Sequence, residues 1–259
     1  MVMRRWRLTG LEFVALWEDM RESGVLPSPF GFTCRIPLYR DYLEAKKAAG
    51  VAVRRRLGDG FEDVLDVVAK PDIRIVTKGV DLTEEGAQIR LQAARRGSDA
   101  YLLEQLWGEP GEHGGEFIVE QHPVLELGTA VAARIPDAAA GELGSVDLIS
   151  HTATELDQEY GRSLTREPAE DPGWHRAERF LRSSVTGIGI ISVEQGISRF
   201  GPQYAAKRAL QWRDLDDDGR YVITDRDDPM AFGVDANGLT ARIDALIADV
   251  VRAIKDGRR

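Results

Sequence analysis

A run of acidic residues near the C-terminus has the spacing of a calcium-binding loop. In the stretch DLDDDGRYVITD, Asp214, Asp216 and Asp218 occupy alternate positions and Gly219 follows at the sixth, as at the start of an EF-hand loop. An EF-hand also needs a flanking helix on each side and a bidentate glutamate at position 12, where this chain has Asp225. The residues after Gly219 instead alternate as in a strand, which favours a solvated hairpin tip. A calcium-responsive binding module that uses residues 214–225 is the alternative reading of this stretch.

Other patterns that could carry catalytic or binding chemistry also have simpler interpretations. Gly187-x-Gly189 lacks the third glycine of a dinucleotide-binding loop and lies within a strand pattern, which predicts a bulge or the close approach of another backbone. The histidines lack the spacing of a zinc site and are expected at the surface or at the core boundary. They are His113, His122, His151 and His175. No nucleophile elbow and no distinctive acid–base pair is present, so the sequence predicts neither an enzyme nor a bound metal or cofactor.

Composition and charge exclude several classes of function. The 259 residues are 43% hydrophobic and 30% charged, which is typical of a soluble domain with a sizeable core. The net charge of −9 argues against a nucleic-acid partner, because phosphate binding needs a basic surface. A single cysteine, Cys34, excludes an internal disulfide and a cysteine-based zinc site. Neither a signal-peptide pattern nor a run of ~18 apolar residues is present, so we expect a cytoplasmic protein without a membrane span.

Hydrophobic periodicity predicts a mixture of helices and strands. Thr9 and Glu12 form a capping box at the start of an amphipathic helix. Further helices are predicted at residues 38–57, 61–69, 124–134, 175–182 and 239–254. Alternating segments predict strands at residues 73–76, 87–93, 100–107, 116–120 and 184–193, and a hairpin at residues 205–225. Residues 138–172 have weak periodicity and mark a candidate boundary.

The two halves of the chain repeat a similar order of motifs. LLEQLW, a glycine-rich gap, GEFIVEQ and a helix occur in the first half. RALQW, an acidic gap, GRYVITD and a helix occur in the second. This repeated order of motifs predicts one domain over residues 1–259, with quasi-repeat halves at about residues 1–137 and 138–259. Because the strands come in hairpins, we expect an α+β fold with a mainly antiparallel sheet.

Two segments resemble a known family. They are the line WRLTGLEFVALWE at residues 6–18, followed by Leu26, Pro27 and Pro29, and the frame formed by WRD at 212–214 and DGRY at 218–221. These are similar to the EspG family, the ESX (type VII) secretion-associated chaperones of actinobacteria. The resemblance implies a central, mainly antiparallel sheet flanked by two helical bundles, with quasi-twofold related halves. It also implies a non-enzymatic cytosolic chaperone that keeps a PE–PPE heterodimer, or another secreted helical hairpin protein, soluble before export.

The resemblance implies a contact surface as well. In such chaperones the client contacts the sheet, the loop between the second and third strands, and the C-terminal helical bundle. The two strands correspond here to residues 73–78 and 87–94, which predicts a short loop at residues 79–86. The predicted partner-binding residues are Gly79, Val80, Asp81, Leu82, Thr83, Glu84 and Glu85. A homodimer through a sheet edge is a further expectation that the sequence leaves open.

Overall fold

A large antiparallel sheet organises the chain. The computed structural model describes residues 3–21, 25–58, 60–84, 87–106, 108, 115–148, 172–196, 201, 205–224 and 229–256. Within these residues ten strands form one sheet in the order β1-β5-β4-β3-β2-β7-β8-β9-β10-β6, and each neighbouring pair is antiparallel. The strands are β1 Arg4–Leu8, β2 Ile73–Asp81, β3 Gln88–Arg96, β4 Asp99–Gln105, β5 Phe117–Gln121, β6 Ser145–Asp147, β7 Val185–Gln195, β8 Lys207–Leu215, β9 Arg220–Thr224 and β10 Met230–Gly233. The predicted α+β class is confirmed.

Six helices accompany the sheet in the described ranges. They are α1 Gly10–Arg21, α2 Tyr39–Leu57, α3 Gly60–Ala69, α4 Leu127–Ala132, α5 Pro172–Arg182 and α6 Ala236–Asp256. The capping box at the start of α1 is confirmed: the Thr9 backbone N–H donates to the Glu12 carboxylate at 2.8 Å, and the Glu12 N–H donates to the Thr9 hydroxyl at 3.2 Å. The helix predicted at residues 124–134 is instead a 3₁₀ turn, Val124–Glu126, followed by the short α4. In the described ranges, each helix is too short or too polar to span a bilayer.

The helices divide between the two faces of the sheet. On one face, which we call face A, α4 and α6 pack against alternate residues of the central strands, including Ile75, Leu91 and Ile191. On the opposite face, face B, α1 and α3 cover the outer strands of the first half, where Tyr101 and Phe117 are buried. The helix α5 covers the outer strands of the second half on face B. Strand residues alternate between the faces, so this division follows the period-two pattern of the sequence.

The strand order is the same in both halves when it is followed outwards from the centre. β2, β3, β4 and β5 lead to β1 on one side, and β7, β8, β9 and β10 lead to β6 on the other. This order supports the proposal that residues 1–137 and 138–259 are quasi-repeats within one domain. The motif pairing in the sequence is displaced by one strand, because the LLEQ part of the first motif lies in β4 and RALQW lies in β8. By sheet order, β4 corresponds to β9 and β8 corresponds to β3.

Three strands were missed by the sequence prediction. β1, β6 and β10 contain five, three and four residues. β1 reads RRWRL, which is charged, and it immediately precedes the capping box of α1. Segments this short have little strand propensity of their own, and they are extended here because a neighbouring strand offers hydrogen bonds.

Candidate partner-binding surface

The predicted loop between the second and third strands is shorter in the structure. β2 continues through Asp81, so Gly79, Val80 and Asp81 are strand residues and their assignment to the loop is wrong. The reason is tertiary: β7 pairs with β2 as far as Asp81 opposite Gly187 and keeps the chain extended. The remaining turn is closed by the Asp81 carboxylate, which accepts hydrogen bonds from the Thr83 N–H at 2.9 Å and the Thr83 hydroxyl at 2.6 Å.

The predicted partner-binding residues do not form one continuous surface. Gly79 lies on face A beneath the indole of Trp212, whereas Val80 points to face B. Leu82, Thr83 and Glu84 are exposed at the turn, and Glu85 lies outside the described residues. Leu82 is 57% exposed, and its N–H donates to the Thr186 carbonyl of β7 at 2.7 Å. The turn is therefore fixed to the central strand beside it, with an apolar side chain at its tip.

The middle of face B carries exposed apolar residues between its two helical covers. Two rows of side chains cross the strands β3, β2, β7 and β8 there, as the strand register shows. One row is Arg90, Lys78, Ile190 and Gln211, and the other is Gln88, Val80, Ile188 and Arg213. Ile188 and Ile190 are 41% and 42% exposed although they lie in a central strand. We call Lys78, Val80, Ile188 and Ile190 the central strip.

The charge of this region differs from that of the whole chain. Its two rows contain Lys78, Arg90 and Arg213 and no carboxylate, whereas the chain has a net charge of −9. Arg90 donates to the side-chain amide oxygen of Gln105 at 3.2 Å, while the exposed Lys78 has no acidic partner in the described part of the chain. An apolar strip with adjacent cations complements an apolar surface that carries carboxylates.

The end of α5 forms one border of the central strip. Arg213 lies opposite Ile188, and its guanidinium stacks over the Phe180 ring at 5.1 Å. The same guanidinium donates to the carbonyl oxygens of Leu181 and Ser183 at 3.4 and 3.3 Å, and burial lowers the pKa of Arg213. Leu181 is 42% exposed, so it adds an apolar residue at this border.

The exposed isoleucines of β7 were not among the residues predicted to bind a partner. A signal was present in TGIGIIS, where glycines alternate with Thr186, Ile188 and Ile190. The glycines lie on face A, where a Cβ on Gly79 or Gly189 would collide with Trp212. The predicted close backbone approach is also confirmed, because Gly189 lies against the Lys78 carbonyl and the β7–β8 register shifts between Val185 and Gly187. Glycines on one side of a strand leave the other side to present the larger residues.

The acidic stretch is a hairpin tip with internal partners, which contradicts the calcium alternative. β8 ends at Leu215 and β9 begins at Arg220, so strands and not helices flank it. Asp214 is 6% exposed, and its two carboxylate oxygens accept bonds from Arg220 at 2.7 and 2.8 Å. Asp218 accepts from the Glu142 N–H at 2.6 Å and from the Tyr221 hydroxyl at 2.6 Å. Asp225 lies outside the described residues, within which no group of three or more potential metal ligands occurs.

The WRD and DGRY frame connects the hairpin to the segment between the two halves. Arg220 is 1% exposed and donates to the Pro136 carbonyl at 2.6 Å. The Tyr221 hydroxyl accepts from the Leu143 N–H at 2.8 Å, and burial, followed by the bond to Asp218, raises the Tyr221 pKa. Gly219 has φ +151°, and a Cβ there would lie 2.6 Å from the Ala139 carbonyl oxygen. The frame therefore holds residues 136–143 against the sheet.

Two of the four histidines fall in the described ranges, and His122 corrects their predicted placement. It is 6% exposed, and its Nε2 lies 3.3 Å from the buried Glu120 carboxylate. Glu120 also pairs with Arg134, so His122 belongs to a buried polar network and not to the surface. His175 lies in α5, whereas His113 and His151 are outside the described residues. Cys34 is a half-buried free thiol.

Comparison with known proteins decides the family. The model of the EspG family matches residues 9–245. The chain belongs to the EspG family. No curated protein matches the chain. Among solved structures, the chain is similar to the Mycobacterium tuberculosis type VII secretion system chaperone EspG5 in complex with a PE25–PPE41 dimer. The TM-score is 0.58 and the sequence identity is 15%, and the match covers 94% of this chain and 96% of the matched chain. At this identity the likeness establishes a common fold.

Proposed function

We propose that this EspG-family protein is a cytoplasmic, non-enzymatic type VII secretion chaperone that binds a PE–PPE-type heterodimer and keeps it soluble before export. Family membership over residues 9–245 supports the role, and the structure of EspG5 with a PE25–PPE41 dimer supports the class of client. The observation that carries the proposal is the central strip, where Ile188 and Ile190 are exposed in the middle of the sheet. Exposed apolar residues grouped in this way mark protein-binding surfaces.

The dimensions of face B suit the end of a helical hairpin. The two rows cross four strands spaced about 4.8 Å apart, so they are roughly 15–20 Å wide, and a helix with its side chains is about 10–12 Å across. A stable interface buries about 800 Å² on each partner. The turn with Leu82 and the end of α5 with Leu181 border the two rows and enlarge the apolar area that a client could contact.

The expected client surface follows from the side chains that it would meet. Ile188, Ile190 and Val80 favour aliphatic or aromatic anchors, which dominate the energetics of such interfaces. Lys78 and Arg90 favour carboxylates at the rim of the client, which would orient it and accelerate association more than they would add affinity. A client that is insoluble alone because of an apolar end would gain a polar cover while it is bound.

A binding experiment with matched variants tests the proposal. The chaperone would be co-expressed with PE–PPE-type pairs encoded in its own genome, and affinities of the purified proteins measured by calorimetry. Ile190→Glu should weaken binding at least tenfold, because a loss of about 1.4 kcal/mol corresponds to a factor of ten. Leu125→Glu is the control, since Leu125 is 83% exposed on the 3₁₀ turn after β5 and is not part of the central strip.

The experiment distinguishes failure of the proposed chaperone function from failure of the proposed binding site. If the folded wild-type protein binds none of the PE–PPE-type pairs, the chaperone function is wrong for these clients. If it binds one but Ile188→Glu and Ile190→Glu bind as the wild type does, the function stands and the central strip is not the site. Circular dichroism and thermal unfolding of each variant would exclude misfolding as the cause of lost binding.

A further inference from the structure

The outward side of α2 combines apolar and basic residues in an unusual way. Exposed residues occur there in two adjacent rows, each with a spacing of four. The first row is Tyr39, Leu43, Lys47, Val51 and Arg55, and the second is Arg40, Glu44, Ala48, Ala52 and Arg56. We call these ten residues the outer face of α2. At 3.6 residues per turn, each step of four residues moves about 40° around the helix axis, so both rows wind round the exposed side of α2.

Large apolar side chains are concentrated on this helix. Tyr39 is 73% exposed, Leu43 39% and Val51 53%, and Leu38 just before the helix is 59% exposed. These four are among eleven large hydrophobic residues exposed in the described part of the chain. Single exposed apolar residues are ordinary, but several of them grouped on one helix mark an interaction surface.

The charge of the outer face is opposite to that of the protein. It carries four cations and one anion, on a chain whose net charge is −9. Arg40 lies 3.5 Å from Asp41, and Arg56 pairs with Glu12 at 2.8 Å. Lys47 and Arg55 have no carboxylate partner in the described residues, although both stand in the same row as Leu43 and Val51. The free cations and the apolar side chains are therefore presented together.

The inward side of α2 is already satisfied by the rest of the bundle. Gly50 and Val53 are its buried residues, and a Cβ on Gly50 would lie 3.4 Å from the Cβ of Ala15 in α1. Lys46 pairs with Glu18 at 2.5 Å, and Arg54 pairs with Asp19 at 3.1 Å and with Glu62 at 3.0 Å. These contacts hold α2 in one orientation, so its outer face is preorganised for a partner.

We propose that the outer face of α2 docks an acidic amphipathic helix of another protein. Such a helix would place apolar residues against Leu43 and Val51 and carboxylates against Lys47 and Arg55, which together span about 120° of the helix surface. From Leu43 to Arg55, apolar and cationic side chains alternate at four-residue spacing, which suits contact with another helix. The outer face and the central strip share no residue, so this proposal does not depend on the client-binding function.

Two other occupants fit the residues less well. A second copy of this chain would bring Lys47 and Arg55 against the same cations, and like charges at an interface are costly. A membrane surface would have to accept Lys47 between Leu43 and Val51 and the anion Glu44 beside them. Interfacial helices instead separate an apolar face from a basic one. An acidic helix satisfies both kinds of residue at once.

Peptide binding to the full chain tests the proposal. The probe is a stapled, fluorescently labelled helical peptide with leucines at four-residue spacing and glutamates on both sides of them. The control peptide has lysine at every glutamate position. Fluorescence anisotropy should show that the wild-type protein prefers the acidic peptide at least tenfold, and that added salt weakens the preference by screening. The double variant K47E/R55E should lose that preference and favour the basic peptide.

A second double variant controls for net charge. R252E/K255E makes the same change in net charge on α6, where both residues are exposed, and should retain the wild-type preference. Equal binding of the two peptides by the wild type, or an acidic-peptide affinity unchanged in K47E/R55E, would overturn the proposal. So would binding to phosphatidylserine vesicles without peptide binding, which would indicate a lipid surface. A concentration-dependent dimer that K47E/R55E abolishes in sedimentation would assign the face to self-association instead.

Discussion

Gly79 provides a sharp test of how the centre of the sheet is packed. It lies opposite Gly189 in the β2–β7 pair, with the Trp212 indole over both glycines. A Cβ on Gly79 would lie 2.5 and 2.6 Å from two ring carbons of Trp212 and 2.9 Å from the Ile188 carbonyl oxygen. Favourable contacts between carbon atoms occur at about 3.5–4.0 Å. Gly79→Ala therefore forces either the indole or the central strands to move.

The size of the effect can be worked out from these contacts. Trp212 is 0% exposed, so its ring has no solvent space into which to move. Overpacking costs about 1–3 kcal/mol, and we expect roughly 3 kcal/mol because one obstacle is the main chain. Alanine also restricts the unfolded chain, which offsets about 0.4–1 kcal/mol. The net expectation is a loss of about 2 kcal/mol, or ~4–8 °C in Tm for a chain of this length.

Urea denaturation and differential scanning calorimetry would measure the free energy of unfolding. The matched control is Gly60→Ala at the start of α3, where a Cβ meets nothing within 4 Å. That variant should be neutral or more stable by up to about 1 kcal/mol. In a Trp212→Phe background, which removes the outer edge of the indole, Gly79→Ala should cost less than in the wild type. A Gly79→Ala protein as stable as the Gly60→Ala protein would refute the packing argument.

Three further predictions concern the contacts of the WRD and DGRY frame and the capping box of α1. Asp214→Ala leaves the buried Arg220 guanidinium without its carboxylate and should lower the free energy of unfolding by about 3–5 kcal/mol in urea denaturation. The double replacement D214L/R220M should lower it by less than Asp214→Ala does. An equal or greater loss in the double variant would contradict this account. Thr9→Ala removes the hydroxyl that accepts from Glu12 N–H and should destabilise by about 1 kcal/mol, whereas no change would show that the capping box is not needed. The pKa of Tyr221 is raised above its ordinary 10.0 mainly by burial, so the unfolded chain ionises first and stability falls as pH rises above about 10. Tyr221→Phe should show a shallower fall in unfolding free energy over this range, and an identical pH profile would count against the buried phenol.

The sequence could predict those parts of the fold that depend on local pattern. Thr9 and Glu12 marked the start of α1, and the periodic segments located α2, α3 and the β8–β9 hairpin. The candidate site was predicted less well. The turn residues Leu82, Thr83 and Glu84 are exposed next to the central strip, but Gly79 and Asp81 belong to the opposite face. The client-contacting role of all these residues stays a prediction.

Tertiary structure decided the features that no short segment contains. The alternation in TGIGIIS determines that Ile188 and Ile190 share one side of a strand, but only the placement of α1–α3 and α5 leaves that side uncovered. The spacing of Asp214, Asp216 and Asp218 resembles a metal loop, but the approach of Arg220, Tyr221 and residue 142 gives two of these carboxylates other partners. Local pattern fixes the direction of each side chain, whereas the packing of distant elements determines whether that direction leads to the core, to an ion pair or to water.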